Sequence, residues 1–383
     1  MKLKSLQLIN FRNYEDLKIT PSETLNLFVG KNAQGKTNLI ESIAVSISGF
    51  SFRTTKNAEM IKLGKKSSNI ISEIEKKGRV EKRSIYIDYS GMKHSINNKI
   101  TTLKDFTKNS AAVIFKPDDL YIIKNSPSDR RKYLDEIISN IDSLYRYNLN
   151  SYKKILYEKN KALKMRSNDT LLDIYDRQLA KFASEILIKR LNIIKILETY
   201  SKEYYRELSG CDFKITYLST INLKKTREEL VEEFLDALRS RRHIDKNKLY
   251  TSIGPHRDDI DFKINNISVK SFGSQGEIRS SILVLKLAEL KYILNVLNIT
   301  PVLLLDDVLS ELDSTRRDAL LTSIKGIQTF ITSTNSEIID SYIDDDTKVF
   351  MIENGNYKEI KWRIIDNMEL VISKSYKVLN LLD

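Results

Sequence analysis

The sequence predicts an α/β protein that is interrupted by a large, mainly helical insertion. The N-terminal third alternates short strand-like segments with turns. Residues 128–209 contain neither glycine nor proline over 82 positions, and their apolar side chains recur at helical spacing. After Gly254-Pro255 the α/β pattern resumes and leads to an apolar strand at 301–305. The insertion therefore divides one α/β unit.

The individual elements follow from the period of the apolar residues, which is two in a half-buried strand and 3.6 in a helix. Sustained heptads are absent, so the insertion is expected to be a compact lobe rather than a coiled coil. We expect strands at 3–9, 25–29, 68–75, 79–89, 93–97 and 301–305, a helix over 39–47, and two or three long helices between 134 and 197 with a break near 167–169.

The composition excludes several classes of protein. Of the 383 residues, 41% are hydrophobic and 30% charged, which predicts a folded chain with a sizeable core. A single cysteine, Cys211, excludes an intramolecular disulfide and a zinc site built mainly from cysteine. No uncharged apolar run reaches about 18 residues, and no signal peptide is apparent. We therefore expect a cytoplasmic protein without a membrane span.

The net charge of +12 is concentrated in two regions. Residues 53–104 carry +8 and residues 120–166 carry +6, which leaves −2 for the rest of the chain. A regional excess of lysine and arginine favours a polyanionic partner such as nucleic acid. A solvated lysine-rich surface is the alternative, and the charge alone does not decide between them.

One motif has the chemistry of a phosphate-binding loop. The run Gly30-Lys31-Asn32-Ala33-Gln34-Gly35-Lys36-Thr37 fits G-x-x-x-x-G-K-[ST], and it lies between a predicted strand and a predicted helix. Its backbone N–H groups would surround phosphate oxygens. Lys36 would reach the β- and γ-phosphates, and the Thr37 hydroxyl would bind Mg²⁺.

Two carboxylates end the apolar strand at 301–305. Asp306 would hold Mg²⁺ through water, and Asp307 would orient or deprotonate the attacking water. Two exposed loop acids are the alternative. Earlier in the chain, Gly273-Ser274-Gln275-Gly276-Glu277 precedes an apolar helix, and residues 310–313 follow the acids directly. Each of these segments is also compatible with an ordinary turn or helix cap.

These four elements, in this order, resemble the ABC-type ATPases. The resemblance implies that Ser274 of one subunit contacts the γ-phosphate held by the P-loop of another, so that ATP joins a head-to-tail dimer. Lys36 and Asp306 are 270 positions apart, which requires a large insertion. A compact insertion, without hundreds of coiled-coil residues, is the pattern of the RecF family of bacterial recombination mediators.

The resemblance to the RecF family spans nearly the whole chain and depends on several further motifs. These are Leu6 to Tyr14, the P-loop through Asn38, 51–54, 116–120, 126–135, 254–259, the Gly-Ser-Gln-Gly segment, and 303–313. The implied fold is an ABC-type P-loop ATPase head with an inserted, mainly helical lobe and no long coiled coil. Residues 1–120 and 254–383 would form the head, and 121–253 the inserted lobe.

The family also implies a function. It predicts ATP and Mg²⁺ as cofactors, slow ATP hydrolysis used as a switch, and an ATP-dependent homodimer. Double-stranded DNA, especially at single-strand gaps, would be the ligand. RecR would be the partner, with RecO and RecA involved indirectly. The implied processes are DNA replication, gap repair, recombination and SOS induction.

The resemblance assigns site residues as well. Arg12 and Asn13 would lie near the nucleotide, with simple loop residues as the alternative, and Asn38, Ser274, Gln275 and Gly276 would contribute to binding it. For the DNA contacts at 124 and 130–132, a solvated helix start is an equal alternative, and Arg53 could approach either phosphate or DNA. The candidate DNA-binding residues are Arg53, Lys56, Lys124, Arg130, Arg131 and Lys132.

Some positions depart from the family pattern. Glu277 adds an acid near the expected γ-phosphate contact, and Asp307 replaces the glutamate of transporters. Residues 332–334 stand where a switch histidine is usual, and no Q-loop glutamine is apparent near 115–116. Residues 256–259 form either a site or a hydrogen-bonded structural segment, and the tail at 363–383 has no assignable motif.

Two other functions are compatible with a P-loop. A transporter-energising ATPase would need a groove for a membrane subunit. An ATPase-linked nuclease would need a further acidic metal cluster, for which the run at 344–346 is the only candidate. Another SMC-like DNA-repair ATPase is a further alternative.

Overall fold

The computed structural model describes residues 1–224, 226–334 and 346–360. The strands are β1 (Lys2–Phe11), β2 (Tyr14–Ile19), β3 (Leu25–Val29), β4 (Ser67–Lys76), β5 (Arg79–Asp88), β6 (Gly91–Ile96), β7 (Lys99–Thr101), β8 (Ala112–Phe115), β9 (Phe213–Leu218), β10 (Asp259–Ile264), β11 (Ile267–Ser268), β12 (Val302–Asp306), β13 (Thr329–Ser333), β14 (Lys348–Glu353) and β15 (Asn356–Ile360). The helices are α1 (Lys36–Ser48), α2 (Leu103–Phe106), α3 (Pro127–Ile141), α4 (Ser143–Lys164), α5 (Asp169–Ser209), α6 (Arg227–Lys248), α7 (Val269–Phe272), α8 (Gln275–Leu297) and α9 (Ser314–Ser323). All six predicted strands and the predicted first helix are present.

The strands form three sheets. An antiparallel sheet has the order β2-β1-β4-β5-β6-β7, and a small one has the order β11-β10-β9. The third sheet, β15-β14-β3-β13-β12-β8, is parallel except for β15. In this parallel sheet, β13 lies between β3 and β12, so the loops that follow β3 and β12 meet at one edge.

Helix α1 is buried between the large antiparallel sheet and the parallel sheet. Its residues Leu39, Ile40, Ile43 and Val45 are fully inaccessible to solvent. The parallel strands separate two hydrophobic cores, because successive side chains point to opposite faces. In β12, Val302 and Leu304 pack into the core around α1, and Leu303 and Leu305 pack into the core formed with α3–α6 and α8.

The insertion is helical, as the sequence predicts. The predicted break is present: α4 ends at Lys164, and Asn168 caps α5 by accepting a hydrogen bond from the Leu171 N–H. Helix α5 then continues for 41 residues to Gly210, whose φ of 72° ends it. This length is possible because no glycine or proline interrupts it. An α/β fold with a helical insertion is therefore confirmed.

The small sheet crosses the predicted domain boundary. Strand β9 belongs to the predicted inserted lobe and pairs along its whole length with β10, which follows residue 254. The division into 1–120 with 254–383 and 121–253 stays a prediction. Within the described part of the chain, no helix combines the length and the apolarity needed to cross a membrane.

Candidate nucleotide-binding site

The two glycines of the loop between β3 and α1 lie too close to neighbouring atoms to be replaced by a larger residue. A Cβ at Gly30 would overlap the carbonyl oxygen of Ile352 in β14. Gly35 has φ of 113°, and a Cβ there would lie 2.9 Å from the Tyr14 hydroxyl oxygen. The loop therefore keeps a narrow cradle that ends at the N-terminus of α1, where backbone N–H groups can meet phosphate oxygens.

Lys36 lies inside this cradle and is only 4% exposed. Its ammonium group donates to the carbonyl oxygens of Gly30, at 2.8 Å, and Lys31, at 3.1 Å. Two of its three donors are thus used within the loop. The charge is held where a phosphate would be bound, so the residues present fit a nucleoside triphosphate.

Asp306 lies beside Thr37 at the edge of the parallel sheet. The Thr37 hydroxyl donates to Asp306 Oδ1 at 2.9 Å, and the Thr332 hydroxyl donates to the same oxygen at 2.8 Å. Burial raises the pKa of Asp306, although both hydroxyl bonds and Arg53 oppose the rise. A divalent cation would stabilise this desolvated carboxylate, and hydroxyl and carboxylate oxygens are ligands that suit Mg²⁺.

Asp307 has a strained backbone that depends on Thr332. Its φ is 52°, in the left-handed region, and its N–H donates to the Thr332 hydroxyl oxygen at 2.8 Å. Thr332 therefore supports both acids from the neighbouring strand. Sequence reasoning noted this threonine only as the replacement for a histidine. The strand register, in which Asp306 is opposite Thr332, gives it its role.

Sequence reasoning also missed a buried carboxylate beside the loop. Glu41 is fully inaccessible, and it accepts two hydrogen bonds from Arg12 at 2.7 and 2.9 Å. Arg53 Nη1 donates to it at 3.0 Å, and the Ser51 hydroxyl donates at 2.5 Å. We call these four residues the Glu41 cluster. The available signal was a single charged residue in the predicted helix at 39–47, whose other residues are apolar or serine.

The Glu41 cluster connects to the P-loop through two asparagines. Arg53 Nη1 also donates to Asn38 Oδ1 at 2.7 Å, and the Asn38 amide donates to Asn13 Oδ1 at 2.8 Å. The Asn13 amide then donates to the Gln34 carbonyl oxygen at 3.1 Å. Asn13 therefore lies against the loop and Asn38 is bonded to Asn13, whereas the Arg12 side chain is connected to the loop only through Glu41. Arg53, for which the sequence left phosphate and DNA as alternatives, is part of the same network.

The Gly-Ser-Gln-Gly segment forms the N-terminus of α8 and faces solvent. The Glu277 carboxylate accepts from the Ser274 N–H and hydroxyl, both at 2.8 Å, in a capping box. These bonds lower the pKa of Glu277. The acid that departs from the family pattern therefore caps its own helix. Ser274 and Gln275 are exposed, and Gly276 lies beside Arg316.

The candidate DNA contacts differ in accessibility. The side chains of Lys56 and Lys132 are 80% and 68% exposed. Lys124 is exposed and donates to the Lys270 carbonyl oxygen at 3.1 Å, and Arg131 is half-buried and donates to the Asp258 carbonyl oxygen at 2.8 Å.

Arg130 corrects the sequence prediction. It is 1% exposed and makes a bidentate pair with Asp259 at 2.7 and 2.9 Å. Its remaining Nη1 donates to the backbone carbonyl oxygens of Ile122, Ile123 and Asn125. The guanidinium is enclosed by protein acceptors, so Arg130 is a structural residue and not a DNA contact.

Residues 256–259 are also bonded within the protein. Burial lowers the pKa of His256 to about 4, so its ring is neutral. Nε2 donates to the Thr251 carbonyl oxygen at 3.0 Å, and the Tyr152 hydroxyl donates to Nδ1 at 2.6 Å. The Asp258 carboxylate accepts from the Tyr217 hydroxyl at 2.7 Å. Of the two readings of this segment, these contacts favour the structural one.

Arg190 lies at the centre of the same region. It donates to both oxygens of Asp135 at 2.8–3.0 Å, and to the hydroxyl oxygens of Tyr145 and Tyr217 at 3.1 Å. It also donates to the Pro255 carbonyl oxygen at 2.7 Å. We call Asp135, Tyr145, Arg190, Tyr217 and Asp258 the junction cluster. It joins α3, α4, α5, β9 and the segment before β10.

Two predicted features lie outside the described residues. These are the tail at 363–383 and the acidic run at 344–346, of which only Asp346 is described. Among the described residues, no group of three or more histidine, cysteine, aspartate or glutamate side chains could hold a metal ion.

The chain is similar to known proteins over most of its length. The family described as RecF/RecN/SMC N terminal domain matches residues 2–358. The DNA replication and repair protein RecF of Clostridium tetani is 42% identical over 365 residues, covering 93% of this chain and 99% of the relative. The RecF protein of Clostridium botulinum is 41% identical, covering 94% of this chain and 100% of the relative.

Solved structures agree with the sequence comparison. A structure of the recombination mediator protein RecF with ATP, in the RecFOR pathway, is 33% identical with a TM-score of 0.85, and it covers 94% of this chain and 97% of that one. An Smc head bound to part of ScpA has a TM-score of 0.55 at 15% identity, which shows the fold alone. The fold is therefore the predicted ABC-type ATPase head with an inserted helical lobe, and the chain belongs to the RecF family of DNA replication and repair proteins.

Proposed function

We propose that this protein is an ATP-dependent DNA-binding protein of recombinational repair in the cytoplasm. ATP would join two copies head to tail, and the dimer would clamp double-stranded DNA at single-strand gaps. RecR would act with it, and RecO and RecA would follow in gap repair, replication and SOS induction. The observation that carries the proposal is the site between the P-loop and β12. There the Lys36 ammonium group lies within the loop, and the Thr37 hydroxyl donates to Asp306.

The loop residues have separate tasks in this proposal. Lys36 would hold the β- and γ-phosphates, and Thr37 and Asp306 would hold Mg²⁺. Bound ATP supplies a γ-phosphate whose presence or loss distinguishes two states. Asp307 would orient the attacking water, with its backbone fixed by Thr332. Slow hydrolysis would suit a clamp that must stay closed on DNA.

The exposure of Ser274 supports the head-to-tail dimer. Its side chain bonds to Glu277 of the same turn and faces solvent at the N-terminus of a 23-residue helix. Such a terminus attracts anions through its free N–H groups and the helix dipole. A phosphate bound by the P-loop of a second copy is the ligand that this arrangement would take.

The regional charge supports DNA as the partner. Residues 53–104 and 120–166 together carry +14, and Lys56 and Lys132 extend into solvent. Contacts of this kind bind phosphates, give little base specificity and weaken steeply as salt increases.

Sedimentation velocity tests the clamp. We expect a monomer without nucleotide, a dimer with ATP and Mg²⁺, and a heavier complex when gapped DNA is added. Lys36→Ala should remain monomeric with ATP, whereas the matched control Lys66→Ala, at an exposed position outside the loop, should dimerise. A monomer under every condition would contradict the mechanism.

A second experiment tests the role of Asp307. Asp307→Asn should accumulate the ATP dimer, because the water would no longer be activated. Turnover equal to that of the unchanged protein would show that the assignment is wrong. Plasmid DNA incubated with Mg²⁺ should stay intact in the same samples, and nicking would favour a nuclease instead.

A further inference from the structure

A groove runs along the inserted lobe between α5 and β9, away from the P-loop. It encloses about 520 Å³. Leu191, Ile194 and Ile215 form its apolar floor, and Leu223, which is 48% exposed, forms part of one wall. The α5 residues that line it, from 191 to 202, recur at helical spacing and so form one stripe of the helix.

One side of the groove is an open sheet edge. In the order β11-β10-β9, strand β9 is last, and its ladder pairs are all with β10. Among the described residues, residues 213–218 make no other backbone–backbone hydrogen bond. Every second residue of β9 therefore directs its N–H and C=O away from the sheet. The Thr216 hydroxyl oxygen is buried there without a hydrogen-bond partner.

The charge around the groove is mainly positive. Lys195, Lys202 and Lys214 line it, against the single acid Glu198. Lys202 already pairs with Asp212 at 2.9 Å, so Lys195 and Lys214 are the exposed charges available to a ligand.

We propose that this groove binds an extended, acidic peptide segment of another protein, which adds as a strand to the open edge of β9. The α5 stripe from 191 to 202 is about 16 Å long, which matches about five residues of extended chain. Peptide N–H and C=O groups would complete the ladder. Alternate apolar side chains would cover Leu191, Ile194 and Ile215, and acidic ones would meet Lys195 and Lys214.

The floor and the edge favour a peptide over DNA. A DNA backbone provides neither apolar side chains for Ile194 and Ile215 nor alternating donors and acceptors for β9. The β9 side of the groove is also held in place, because the Tyr217 hydroxyl is bonded to Arg190 and Asp258 of the junction cluster. This inference is independent of ATP binding and of the proposed clamp.

Selection from a displayed library of random decapeptides tests the groove. We expect enriched peptides to alternate apolar and acidic residues. A fluorescein-labelled enriched peptide, followed by anisotropy, should bind the full-length protein and lose affinity by about tenfold on Lys195→Glu/Lys214→Glu. A peptide of the same composition in scrambled order should bind more weakly.

The matched control reverses two exposed lysines that do not line the groove, Lys153→Glu/Lys181→Glu. It has the same net charge as the groove variant and should keep the peptide affinity. Equal melting temperatures would show that both variants fold. The proposal is wrong if no enriched peptide distinguishes the two variants. It is also wrong if the groove variant loses gapped-DNA binding and the peptides show no alternation, since the groove would then be a nucleic-acid surface.

Discussion

The Glu41 cluster and the junction cluster both pair arginine with a carboxylate, but in different surroundings. In the junction cluster, Arg190 is 2% exposed and all its donor nitrogens are bonded within the protein. In the Glu41 cluster, the carboxylate is buried but the Arg53 side chain is 39% exposed, and only its Nη1 makes a side-chain hydrogen bond among the described residues. A closed network fixes the packing of helices, whereas one with an accessible guanidinium beside a phosphate loop can respond to a ligand.

The largest effect is expected in the junction cluster. Arg190→Met would leave the Asp135 carboxylate without its ion-pair partner, and the Tyr145 and Tyr217 hydroxyl oxygens and the Pro255 carbonyl without this donor. It should reduce the free energy of unfolding by about 3–5 kcal/mol. Urea denaturation measures this change. Arg239→Met, at a 52% exposed position, is the control and should change stability by less than about 0.5 kcal/mol.

Arg190→Met also tests whether the junction cluster affects ATP binding or only the stability of the fold. Saturating ATP stabilises a protein that binds it only when folded, by about 2.7 kcal/mol at 100 times Kd. Arg190→Met should keep this ATP-dependent increment. Loss of the increment would mean that the junction cluster also controls the nucleotide site, and the contrast between the two clusters would fail.

Glu41→Gln should have the next largest effect. It removes the charge that three donors share, and should lower the free energy of unfolding by about 2–3 kcal/mol. Unlike Arg190→Met, it should also reduce the ATP-dependent increment, since Arg53 and Asn38 connect Glu41 to the loop. Glu73→Gln, at an exposed carboxylate, is the control. An unchanged increment would place the Glu41 cluster with the purely structural networks.

In the absence of nucleotide, Asp306→Asn should increase the free energy of unfolding by up to about 1 kcal/mol. The substitution removes a desolvated charge that serves function rather than stability. Burial raises the pKa of Asp306, so its ionised form weakens the fold once the pH exceeds that pKa. The difference between the variant and the unchanged protein should be present at pH 7 and disappear as the pH falls toward about 4, the ordinary carboxyl range. Thermal unfolding across this pH range measures it. A difference that grew toward acid would contradict the assignment.

The smallest effect concerns the surface near the junction cluster. Lys132→Ala should weaken binding of gapped DNA by about two- to threefold and reduce the salt slope by about one unit, because one phosphate contact is lost. Arg130→Ala should lower stability and leave the salt slope unchanged, since its guanidinium is enclosed. A reduced slope for Arg130→Ala would restore it as a DNA contact.

The contrast also shows which predictions the sequence could support. Local motifs were placed correctly: the P-loop, the strand before Asp306 and the break before Asn168 are where the pattern predicts them. The roles of the arginines could not be predicted, because Arg53, Arg130 and Arg190 look alike in the sequence and differ only in the partners that they contact. Their partners Glu41, Asp259 and Asp135 are between 12 and 129 positions away.

The sequence by itself determined the α/β head, the helical insertion and the phosphate loop, because hydrophobic period and glycine spacing are local properties. Only the tertiary structure decided that Thr332 supports both acids, that Glu277 caps its own helix, that Arg130 is buried and that β9 has an open edge. Each of these depends on which strands and helices become neighbours. Strand register and burial, which arise only when distant segments pack, convert identical residue types into ligands, caps or structural ion pairs.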